Sequence, residues 1–236
     1  VLISTATITP TPGTFNPKVD YTTGSTGVQP QNVITGDFNR DGHLDFAAGN
    51  YLGRDVSVSL LDGSGGVMSR TQYTLGTNTP TSITTGDLNG DGVLDLITAN
   101  YGSQNISVLL GIAGGGFNAK SDYVAGNYPT DIVVGDFNRD GKPDLAVSNA
   151  ISSNISIMIG TGSGTLPTHV EYTTATNPRG IIMGDFNKDG KLDLATANSG
   201  VAYLSVLLGV GDGTFNAKVD YATAAVSWDI TTGDFN

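Results

Sequence analysis

The chain has 236 residues, 22 acidic and 11 basic, for a formal charge of −11 and a pI of about 4.2. That acidity argues against nucleic acid as a partner, no apolar run reaches the length of a membrane span, and the absence of cysteine excludes disulfides and thiolate metal sites. Glycine is abundant at 33 residues, threonine, serine, valine and isoleucine are frequent, and Glu171 is the only glutamate, a composition suited to strands and turns and poor for helix.

In chain order, residues 1–12 have strand-like composition and end in two prolines. They match poorly the place that 201–212 hold later. Gly13-Thr14-Phe15-Asn16 lines up with Gly115-Gly116-Phe117-Asn118 and Gly213-Thr214-Phe215-Asn216, and each leads into a strand ending at Tyr21, Tyr123 or Tyr221. One full unit then reads as four strands: a at about 31–36, b at 44–49, c at 55–61 with Val56, Val58 and Leu60 alternating with serine, and d at 67–74. Period-2 patterning and Gly/Asn/Asp turns carry this reading. In the second unit the corresponding strands fall at 94–99, 106–110 and 117–124. Between strands a and b lies Gly36-Asp37-Phe38-Asn39-Arg40-Asp41-Gly42-His43-Leu44-Asp45. It returns from Gly86, Gly135 and Gly184, and a fifth copy starts at Gly233. The spacing of 50, 49, 49 and 49 residues means stacked copies of one supersecondary unit, so residues 1–236 form one domain. Four-stranded units of this size predict the blades of an all-β propeller built of antiparallel sheets.

Counted from Asp37, oxygen side chains fall at positions 1, 3, 5 and 9, a glycine stands at position 6, and position 7 offers a carbonyl. Hard oxygens at alternate positions around a glycine suit Ca²⁺. Position 12 is never acidic and the flanks are strands, so the loop is not an EF-hand. Asp, Asn and Gly also favour ion-free turns. Against that alternative, the four loops hold 12 of the 22 acidic residues, and clustered carboxylates repel unless a cation is present. Four Ca²⁺ carry +8 and bring −11 to −3.

The repeat, with its following S-V-L-L-G and G-T-F segments, resembles the FG-GAP/VCBS repeat family, including the calcium-bearing blades of integrin α-subunit propellers and secreted lectins. That resemblance implies Ca²⁺ at four sites: Asp37, Asn39, Asp41, His43 and Asp45; Asp87, Asn89, Asp91, Val93 and Asp95; Asp136, Asn138, Asp140, Lys142 and Asp144; and Asp185, Asn187, Asp189, Lys191 and Asp193, position 7 through its carbonyl. A fifth site at Asp234 and Asn236 is incomplete. By alignment the ends leave a partial blade, so the expectation is a larger ring truncated at both ends, with the family's seven blades as the pattern and self-assembly through unpaired blade edges as a consequence.

The second loop residue (Phe38, Leu88, Phe137, Phe186, Phe235) and the tyrosine series are expected to pack between blades, and Asn50, Asn100, Asn149 and Asn198 to close the b–c turn. On the opposite face from the calcium loops, Tyr51, Tyr101, Arg179 and Trp228 are candidates for contact with a glycan or an extracellular protein. The catalytic reading fails because the two histidines and Glu171 have no repeated partner, and a motif copied in every unit does not make a unique active site. Low lysine, high threonine and weak calcium loops fit an extracellular or cell-surface setting, where calcium is plentiful. Three roles follow: a binding or adhesion module, a structural subunit of a surface layer or filament, or a non-catalytic part of a polysaccharide-active enzyme.

Overall fold

The computed structural model describes residues 18–23 and 29–234. The first blade comprises β1 (Pro30–Gly36), β2 (Asp45–Asn50), β3 (Asp55–Leu61) and β4 (Val67–Thr74). The second comprises β5 (Pro80–Gly86), β6 (Asp95–Asn100) and β7 (Asn105–Leu109), then the small ladder of β8 (Gly111–Ile112) and β9 (Gly116–Phe117), and β10 (Ser121–Val124) as the outer strand. The third holds β11 (Pro129–Gly135), β12 (Asp144–Asn149), β13 (Asn154–Met158) and β14 (His169–Thr173). The fourth holds β15 (Pro178–Gly184), β16 (Asp193–Asn198), β17 (Tyr203–Leu207) and β18 (Val219–Ala222). Each blade is an antiparallel four-stranded meander, and the described residues contain no helix. The expected strands a, b and c thus stand where the alternation put them. The outer strand expected at 117–124 is instead split into β9 and β10.

The innermost strands lie side by side, β1 against β5, β5 against β11 and β11 against β15, so the blades radiate from one axis. Each inner strand begins with proline, where the missing N–H falls at the strand's first residue and a register shift follows. Three apolar clusters fill the three interfaces between consecutive blades. In the first, Phe117 meets Phe38 at 5.8 Å and Tyr73 at 5.4 Å, both edge-on. In the third, Phe215 meets Phe137 and Tyr172 the same way, each at 5.6 Å. Phe38, Leu88 and Phe137 are buried wedges as expected. Phe186 is a correction: it is 39% exposed, in a cleft with Ile182, Ala195, Val206 and Ile230, because no sheet among the described residues packs on that face of the fourth blade. Phe235 lies outside the described residues.

Polar pins cross every b–c hairpin. Asn50, Asn100, Asn149 and Asn198 are fully buried and donate their amides to a serine seven residues on, Ser57, Ser107, Ser156 and Ser205. In blades two and four the Thr98 and Thr196 hydroxyls donate to the asparagine Oδ1. In blades one and three that threonine is replaced by Ala48 or Val147, and the Oδ1 atoms of Asn50 and Asn149 are buried without a partner. Val147→Thr keeps the shape and supplies the hydroxyl. It should raise the melting temperature by about 1–6 °C, since a net hydrogen bond is worth about 0.5–1.5 kcal/mol. A lower melting temperature in calorimetry, the usual result of burying an extra hydroxyl, refutes the assignment.

Candidate functional site

The four β-to-β loops that follow the inner strands share one hydrogen-bond pattern. In the first loop Asp37 Oδ1 accepts the Asp41 N–H at 3.0 Å and Oδ2 the Gly42 N–H at 2.9 Å; Asn39 Oδ1 accepts the Asp41 N–H at 3.0 Å, and Asp41 Oδ1 the His43 N–H at 2.9 Å. The loops of Asp87, Asp136 and Asp185 repeat these bonds within 0.1 Å or so. Positions 1, 3 and 5 therefore turn oxygens toward the backbone N–H groups of their own loop. Glycine at position 6 has φ of 79–86° in all four copies, as its place in the motif requires. Position 4 is also left-handed, at φ 62–64° for Arg40, Arg139 and Lys188, and only Gly90 betrays this in the sequence.

Position 9 behaves differently. Asp45, Asp95, Asp144 and Asp193 are fully buried. One oxygen of each accepts the N–H of the residue at loop position 2, and the other accepts an N–H sixteen residues on, from Leu61, Gly111, Gly160 or Gly209, at 2.7–2.9 Å. The expected ligand is thus also a brace that ties the loop to the end of strand c, a role visible only in the fold. Burial pushes the Asp95 and Asp144 carboxyls above the usual range. The exposed Asp41 is lowered, first by the His43 N–H and then by the Asn39 amide. For Asp140 and Asp189 burial pushes upward, but the N–H and ammonium groups of Lys142 and Lys191 outweigh it.

Every donor in these loops is a hard oxygen, from carboxylate, amide or carbonyl, which fits Ca²⁺ and not a softer metal. Among the described residues no three Asp, Glu or His side chains converge closely enough to cage an ion by themselves. The asparagine and position-7 carbonyls are therefore needed to complete any site. Asp234 is the last described residue of the fifth copy; Asn236 lies outside the described residues.

At the opposite end, the first turns of the inner strands surround a cavity of about 380 Å³ on the axis. Gln31, Thr81, Thr130, Arg179 and Trp228 occupy equivalent repeat positions around it, and Asn32, Ser82, Asp131, Gly180 and Asp229 form the next ring. Three predicted contact residues meet here: the Arg179 guanidinium lies 4.9 Å from the Trp228 ring centre and 5.9 Å from that of Tyr101. Tyr101 is itself held edge-on by Tyr128 at 4.4 Å. Tyr51 is not among the lining residues; it sits half-buried on the b–c turn of the first blade, its N–H donated to the Gln29 carbonyl. Asn32, Asp131 and Asp229 were missed by sequence reading; of the three only Asp229 stands next to a candidate, Trp228.

The model of the FG-GAP-like repeat matches residues 37–98, 94–147 and 136–196, three overlapping copies that span most of the blades. The chain belongs to the FG-GAP-like repeat family. No curated protein sequence matches this FG-GAP-like chain. Solved structures share its fold at low identity. A putative 6-phosphogluconolactonase from Bacteroides uniformis has a TM-score of 0.62 at 15% identity, covering 82% of this chain and 55% of that one. BBS1N in complex with ARL6DN has 0.59 at 15%, covering 85% and 58%. An Agrocybe aegerita lectin that recognises non-reducing terminal N-acetylglucosamine has 0.56 at 17%, covering 80% and 51%. The FG-GAP-like chain thus spans just over half the length of the solved chains it matches.

Proposed function

We propose that this FG-GAP-like chain is a secreted or cell-surface calcium-binding propeller that acts as a binding module for glycan or protein and has no catalytic role. The observation that carries the calcium reading is the fourfold recurrence of one Asp-Asn-Asp oxygen cradle with the same backbone hydrogen bonds in each copy. Positions 1, 3 and 5 with the position-7 carbonyl would hold the ion, and position 9 supports the loop from beneath. Bound calcium supplies charge neutralisation, not chemistry. The loops then hold each inner strand to its neighbour and keep the far end of the propeller in shape. The binding role draws support from that far end, where aromatic, cationic and amide side chains line one cavity, and from fold neighbours of which one is a lectin and another is complexed with a protein. Titration calorimetry with CaCl₂ should show four ions bound per chain, and no heat at millimolar calcium refutes the reading.

One observation favours self-assembly as a second role. Ile182, Phe186, Val206 and Ile230 form an apolar face that no sheet among the described residues covers. Sedimentation of the protein should then show concentration-dependent association that Phe186→Asp abolishes; a monomer at all concentrations argues against it.

A further inference from the structure

The ring of equivalent positions around the axial cavity is not uniform. The Thr81 hydroxyl faces the Ala99 and Pro129 carbonyls, and that of Thr130 the Ser148 and Pro178 carbonyls, so both tie inner strands together. Arg179 has no such task. Its side chain makes no hydrogen bond or ion pair among the described residues, and its Nε is buried without a partner. The nearby carboxylates are engaged elsewhere. Asp131 accepts the Ser82 hydroxyl at 2.8 Å and the Ile132 and Ile181 N–H groups at 2.9 and 3.1 Å, and Asp229 accepts the Ile230 N–H at 2.8 Å. A guanidinium with its Nε buried, packed on two aromatic rings and left without an acceptor among the described residues, calls for an oxygen from outside the chain.

We infer that the axial mouth binds a sugar residue bearing a carboxylate, such as a uronic acid, with the carboxylate on Arg179 and the sugar face against Trp228. This rests on reading the chain as a binding module and names the ligand class. A guanidinium pairs with a carboxylate through two parallel hydrogen bonds. A singly charged anion suits a mouth that also holds Asp131 and Asp229 better than a doubly charged phosphate does. The amides of Gln31 and Asn32 and the Asp229 carboxylate match sugar hydroxyls, and Trp228 is 65% exposed beside them. A cavity of about 380 Å³ falls at the small end of ligand sites.

Trp228 is the only tryptophan, so its fluorescence reports this mouth directly. The full chain in fixed 2 mM CaCl₂ is titrated with a tetrasaccharide of alternating glucuronic acid and N-acetylglucosamine, and with the same molecule carboxyl-reduced. The expected result is a saturable change in Trp228 emission, at least about tenfold weaker for the reduced sugar. Arg179→Gln should abolish the difference between the two sugars with an unchanged melting temperature, and Arg179→Lys should restore part of it. Equal affinity for both sugars, binding without a Trp228 response, or a response confined to phosphate or to a peptide C-terminus overturns the proposal. Calcium heat measured on the same preparations after EDTA treatment and dialysis separates this outcome from failure of the calcium reading.

Discussion

Stripping calcium with EDTA should lower the melting temperature of this protein by about 10–30 °C, and millimolar Ca²⁺ should restore it. The size follows from linkage. If the loops bind as weak calcium modules do, with dissociation constants of about 0.1–1 mM, 5 mM calcium should stabilise each by about 1–2 kcal/mol, or about 4–9 kcal/mol over four loops. A chain of this length shifts by about 2–4 °C per kcal/mol. The charge argument has the same sign. Without ions the chain carries −11, with the exposed aspartates crowded at one end of the propeller. In blades three and four Lys142 and Lys191 reach Asp140 and Asp189 at 3.3 and 3.2 Å, and such exposed pairs replace little of what a divalent ion supplies. Differential scanning calorimetry in calcium, in magnesium and in EDTA is the measurement. Identical melts in calcium and EDTA remove the structural role assigned to the loops.

Asp144→Ala destabilises the protein by about 3–6 kcal/mol whether or not calcium is present. The substitution leaves the buried N–H groups of Phe137 and Gly160 without acceptors, and each orphaned donor costs about 1–3 kcal/mol. It also opens a void under the loop. Asp136→Ala, at the half-buried first position of the same loop, should cost only about 1 kcal/mol in EDTA, yet lose most of that loop's calcium-dependent gain. Urea unfolding of both variants, with and without calcium, distinguishes brace from ligand. If Asp144→Ala matches the parent in EDTA, position 9 serves only the ion.

Comparison of particular elements shows what each level of information carries. Period-2 alternation in Val56, Val58 and Leu60, turn chemistry around Gly42 and the 49-residue repeat are local signals, and each appeared in the structure where the residues put it. The Phe117 stacks on Phe38 and Tyr73 were half legible: the apolar types were plain, their partners not. Phe186 carries the same motif letter as Phe137 but is exposed, because burial depends on what packs opposite and not on the residue.

Residue order alone determined the four-stranded blade, its repeat and the oxygen-rich loop between the first two strands, since these depend on neighbours within a few residues. Tertiary structure decided that position 9 braces buried amides, that Arg179 and Trp228 share one cavity with Asp131, and that Tyr51 stands outside it. The brace joins residues seven and sixteen apart within one folded blade, whereas the cavity relations join residues about 49 apart, or multiples of that, and exist only once the blades are set around an axis. Orientation about that axis is fixed by packing between sheets, which no single repeat contains.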